Sequence, residues 1–147
     1  MNRMKYFWRS IAMLIFLTLP LSSCQEITNK LDIIAQKPEE VVAKWYDSIN
    51  NRDVVTPYEL VHPERENELE KQLSNPLSPL RSKYLIGMTY IDMNYLVSTI
   101  HDDQAVVLVT GKAVNKILGT IEDVNDTVVL KRYENEWKIW SVKNQFE

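Results

Sequence analysis

The apolar pattern of this chain changes period once, near Arg81, and that change fixes the class of fold it can adopt. Before it, Val41, Val42, Trp45, Tyr46 and Ile49 recur three and four apart and make one helical face. After it come four runs rich in β-branched and aromatic residues, at 84–100, 104–114, 120–133 and 136–144. His101-Asp102-Asp103 and Glu134-Asn135 sit between runs at hairpin-turn positions, so adjacent strands pair antiparallel. Helices first and a strand meander afterwards predict an α+β domain, with N-terminal helices packed in a curved antiparallel sheet of at least four strands.

The helical half is punctuated in detail. Pro38 suits a first helical position and Glu39 and Glu40 suit the positive end of the helix dipole, which predicts a helix over 38–50 stopped by Asn50-Asn51-Arg52-Asp53. Thr56-Pro57-Tyr58-Glu59 has the spacing of a capping box, and Pro63 ends the short helix it begins. The charged run 64–72 reads as a mostly exposed helix with Leu69 and Leu73 four apart, followed by a loop at Asn75-Pro76-Leu77-Ser78-Pro79. Gly111, inside the second strand run, marks a bulge or bend.

The N-terminus adds a second constraint. Arg3, Lys5 and Arg9 precede an apolar stretch from Ile11 to Leu21, the order of parts in an export signal. That stretch is eleven residues long, whereas a permanent span needs about twenty. Its ending, Leu21-Ser22-Ser23-Cys24, resembles the bacterial lipoprotein box. The resemblance implies a diacylglycerol on the thiol of Cys24, palmitate-type acyl chains, and cleavage just before that cysteine. It divides the chain into a leader at 1–23, a lipidated cysteine and tether at 24–37, and a domain at 38–147. A plain secretory signal cut elsewhere and a short membrane anchor are the competing readings. Two or more acyl chains give stable attachment where one does not, so the partner implied is membrane lipid through Cys24 and the location is the cell envelope, outside the cytoplasm. Gln25 follows the cysteine where inner-membrane retention in Gram-negative lipoproteins is associated with aspartate, so the resemblance favours the outer membrane if the source has two.

Without the leader, 124 residues remain of 147, which suits one domain with a hydrophobic core. Lysine plus arginine falls from 17 to 14 against 20 acids, a net charge of −6 that argues against nucleic acid as a partner. Cys24 is the only cysteine, so its acylation excludes disulfides and cysteine metal sites from the domain. No phosphate loop, Gly-x-Ser-x-Gly elbow or His-Glu-x-x-His helix occurs, and no cofactor or metal is expected.

Three stretches together resemble the nuclear transport factor two-like superfamily, the cystatin-like cone: the helix Pro38 to Asp53, the short helix Tyr58-Glu59-Leu60-Val61, and the closing hairpin Val128 to Ile139 with Trp137-Lys138-Ile139. More narrowly, the chain is similar to small bacterial lipoproteins of that superfamily. The resemblance covers residues 37 to 144. It implies a cone-shaped sheet around the first helix, often with a pocket, and pairing of two copies through the open sheet face.

Alternation along 84–100 puts Tyr90, Asp92, Asn94, Leu96 and Ser98 on one face and Ile91, Met93, Tyr95 and Val97 on the other. Two readings of Asp92 follow. It is a solvated surface carboxylate, or it lines a cavity as a general base with Tyr90 or Tyr95 as hydrogen-bond donor. His62 and His101 have local explanations, as a helix-end side chain and a turn residue, as does the cluster His101-Asp102-Asp103. Trp137 and Trp140, three apart, point to opposite faces of a regular strand. The leading expectation is a membrane-tethered, non-catalytic module that binds a small apolar ligand or an envelope protein. The alternatives are an isomerase- or cyclase-type enzyme using Asp92 and a structural envelope component.

Overall fold

A computed structural model describes residues 36–143 and 145–146. The leader, Cys24 and most of the tether lie outside the described residues. Helix α1 spans Pro38–Asn51, α2 Thr56–Leu60, α3 Glu66–Ser74 and α4 Pro79–Ile86, with a 3-10 turn at Pro63–Arg65 between α2 and α3. Strands β1 (Met88–His101), β2 (Gln104–Asn115), β3 (Thr120–Tyr133) and β4 (Glu136–Val142) form one antiparallel sheet in the order β1-β2-β3-β4. The α+β class and the meander agree with the sequence pattern.

Helix α1 is the central packing element. Val41, Val42, Trp45, Tyr46 and Ile49 are all fully buried, so the whole predicted stripe faces the sheet. Pro38 opens the helix, and Arg52 in the left-handed region ends it, its N–H bonding to Ile49 O. Glu134 and Asn135 both have positive φ, 50° and 71°, the conformation a two-residue hairpin loop requires.

Three local features differ from the sequence reading. Thr56 lies inside α2, whose N-cap position is Val55 with no side-chain cap, and Asp53 instead braces the turn before the helix, accepting from the N–H groups of Val55 (2.9 Å) and Thr56 (3.2 Å). Residues 84–86 are helical, because Ser78 caps α4 by accepting from Arg81 N–H and the helix buries Leu80 and Tyr84. Gly87, at φ 71°, then closes α4 before β1 begins. Finally, β1 carries a bulge: Ile91 pairs with Lys112 and Asn94 with Thr110, so Asp92 and Met93 together oppose Gly111. The extra residue is on β1, and Gly111 is what admits it. A Cβ at Gly111 would sit 2.4 Å from Met93 Sδ and 3.1 Å from the Ile91 carbonyl oxygen.

Candidate functional site

The bulge rearranges the faces of β1. Tyr90 before it and Met93, Tyr95 and Val97 after it all turn toward α1, where the Tyr46 ring lies 4.9 Å from Tyr90 and 6.0 Å from Tyr95. Simple alternation separates these two tyrosines; the structure brings them together. Asp92 goes the other way. It takes a left-handed conformation, φ 53°, and is exposed, so it stands apart from both candidate donors and lines none of the cavities described below. A general base must reach the proton it removes in a substrate pose, and this placement does not support Asp92 in that role.

The helix-facing side of the sheet holds a different acidic residue. Along β3 the residues directed to α1 are Glu122, Val124, Asp126, Val128 and Leu130, opposite Ala113, Gly111, Val109, Val107 and Ala105 of β2. Asp126 Oδ2 accepts a 2.6 Å hydrogen bond from the Tyr46 hydroxyl and a second, shorter one from Gln145 Nε2. Gln145 Nε2 also donates to the Tyr46 oxygen at 3.2 Å, and Trp45 Nε1 donates to Gln145 Oε1 at 3.5 Å. Gln145 itself is buried. Two residues, Tyr46 of α1 and Gln145 of the C-terminal segment, thus converge on the β3 carboxylate, and Trp45 holds Gln145 in turn. Among the described residues, no hydrogen bond reaches its other oxygen.

Asp126 opens into a cavity of about 360 Å³ lined by Lys83, Tyr90, Glu122, Asp123 and Asn125, with Met88, Ala113 and Val124 as its apolar part. Its carboxylates outnumber its cations three to one. Burial holds the Lys83 ammonium below its ordinary pKa, opposed by the attraction of Asp126 and Glu122. Burial and the nearby Asp126 charge push the phenols of Tyr46 and Tyr90 well above theirs. Both tyrosines therefore remain neutral hydrogen-bond donors at physiological pH. Asn50 fixes the rim by clasping the Tyr90 backbone: Oδ1 accepts from its N–H at 2.7 Å and Nδ2 donates to its carbonyl at 3.0 Å.

The remaining candidates are dispersed. His62 is buried; its Nδ1 accepts from Glu64 N–H at 3.3 Å, which caps the 3-10 turn rather than ending α2, and its ring packs edge-on against Tyr133 and Trp140. His101 Nδ1 lies 3.0 Å from Asp102 Oδ2 in a fully exposed hairpin. No group of three or more potential metal ligands forms among the described residues. No described helix is long and apolar enough to cross a membrane.

Asp126 and Glu122 escaped the sequence reading although a signal was present. Both share the β3 face that carries Val124, Val128 and Leu130, so two acids interrupt an otherwise apolar stripe.

No protein-family model matches the chain, and no curated protein does. Among solved structures, the chain is similar to the solution structure of a SEC-C motif containing protein from Rhodopseudomonas palustris. The two align with a TM-score of 0.56 at 13% identity, over 72% of this chain and 77% of that one. Likeness at that identity concerns the fold alone.

Proposed function

We propose that this chain is an envelope lipoprotein, anchored through Cys24, whose nuclear transport factor two-like domain is a non-catalytic binding module. The ligand is a small molecule with an apolar body and a protonated amine or similar donor group. One observation carries this reading: Asp126, held through one oxygen by Tyr46 and Gln145, lines an open cavity together with Glu122. An acid-rich lining favours a cationic end, which refines the purely apolar ligand that the sequence suggests. Met88, Ala113 and Val124 offer the apolar remainder a surface. On the open side of the sheet, Leu96 pairs with Leu108 and both are exposed, a surface on which a second copy or an envelope protein docks in this reading.

The test begins with protein isolated from its native host. Mass spectrometry of the intact chain should find Cys24 acylated and residues 1–23 removed, and small molecules released on denaturation should include an amine. Asp126→Asn should reduce the released amine roughly tenfold, the effect of weakening one charge-assisted contact. An unmodified Cys24 thiol with the leader attached defeats the anchor; equal ligand recovery from Asp126→Asn defeats the site.

A further inference from the structure

A second cavity, of about 520 Å³, lies at the β4 edge and is lined by Arg65, Thr127, Val129, Trp140, Ser141 and Lys143. A bulge in β4 lies beside it. Ile139 pairs with Leu130 and Ser141 with Val129, so Trp140 is an extra residue, and Trp140 and Ser141 in succession line the cavity. The Arg65 guanidinium lies 5.5 Å from the centroid of that indole and 5.1 Å from the Phe146 ring. Lys131 Nζ sits 3.2 Å from the same indole.

Arg65 is unusual in what it lacks. Among the described residues it forms no salt bridge, and its buried Nε and Nη2 have no hydrogen-bond partner. Buried donors without partners are rare in folded proteins, and a charged group without a counter-charge is costlier still. Both charged side chains lining the cavity are cations, and Lys131 brings a third positive charge to its wall, in a chain whose acids outnumber its bases.

We infer that this cavity is a binding site for the phosphate group of a small ligand, independent of the acidic cavity. A planar carboxylate is satisfied by one arginine fork. Here a guanidinium, an ammonium and the hydroxyls of Thr127 and Ser141 surround one space from the 3-10 turn, β3, β4 and the segment after it, a donor set suited to a tetrahedral oxyanion. The volume exceeds that of bare phosphate, and Trp140 and Val129 give an organic body an apolar wall. Soluble organic phosphates and phospholipid headgroups carry the same group.

The full chain in non-ionic detergent, titrated with inorganic phosphate, should show a saturable shift of the Arg65 Nε–H resonance. The same measurement on phosphatidylglycerol vesicles separates the two sources: a shift only there assigns the site to a headgroup, and a shift with free phosphate assigns it to a soluble ligand. Lys143→Ala should weaken binding roughly tenfold, as loss of a charge-assisted hydrogen bond does. Its exposed side chain keeps that test valid even if Arg65→Met, which alters packing against Phe146, fails to fold. Lys116→Ala, in the distant β2–β3 hairpin, should leave the shift unchanged. No shift in either medium, or a shift indifferent to Lys143→Ala, overturns the inference.

Discussion

The two ends of the helix-facing side are built from the same pair of strands yet meet opposite fates. At one end, Ala105, Val107, Val128 and Leu130 are fully covered, with Ile139 beside them and Trp45, Val41 and Val42 of α1 also fully buried. At the other, Ala113, Glu122, Val124 and Asp126 border an open cavity. The transition falls on β3 between Val128 and Asp126. Large apolar side chains close the first end by packing; the second end is held by polar contacts, Asp126 with Tyr46 and Gln145, and Asn50 with the Tyr90 backbone. Stability thus concentrates at one end, which leaves the other free to hold a ligand.

Truncation at each end gives the largest test of that contrast. Leu130→Ala empties space in a dense core and should cost ~2–5 kcal/mol. Val124→Ala, beside the open cavity, should cost about 1.5 kcal/mol, near the transfer value of the methyls removed, because water can occupy the vacated space. Urea unfolding of the two variants measures both; equal losses would mean that the acidic end is packed as tightly as the apolar one. Next in size is Asp126→Ala, which leaves the Tyr46 hydroxyl and Gln145 amide without their acceptor and should cost ~1–3 kcal/mol. Asp126→Asn keeps a carbonyl acceptor and should lose less. If the two substitutions destabilise equally, charge rather than hydrogen bonding holds this end.

Much of the closed end was legible in the sequence, and little of the open end was. The stripe from Val41 to Ile49 and the run Ala105 to Val109 report burial directly, since burial and apolar periodicity have one cause. The bulge at Asp92 is different. It depends on Gly111 across the ladder, and a single extra residue inverts the side chains that follow on β1 as far as Val97, where a second irregularity falls, so strict alternation misplaced Tyr90 relative to Tyr95. Helix α4 was hidden for another reason: Tyr84-Leu85-Ile86 is an apolar run with no helical stripe of its own, and only the Ser78 cap and the contact of Leu80 and Tyr84 with the core make it helical. The acidic cavity then required a distant pairing, because nothing near Asp126 in sequence announces Tyr46, 80 residues away, or Gln145 from the C-terminal segment.

The smallest expected effect concerns the turn after α1, which leads away from the Asn50 clasp at the rim of the open end. There the Thr56 hydroxyl, 2.5 Å from Asp53 Oδ2, and the N–H groups of Val55 and Thr56 hold the Asp53 carboxyl below its ordinary value of 3.8. A carboxyl depressed in the folded state stabilises the fold above its unfolded value and loses that contribution as pH falls through its folded value. The turn should therefore weaken only below about pH 3.8. Asp53→Asn retains an acceptor for the backbone N–H groups but has nothing to titrate, so the stability difference between wild type and variant should shrink as pH falls through that window. Urea midpoints taken from neutral to acidic pH read this out, and because the carboxyl is exposed to solvent the change should be slight. A difference that stays constant across the window would mean that Asp53 acts through geometry alone. The rim of the open end would then be fixed by Asn50 without help from the charge beside it.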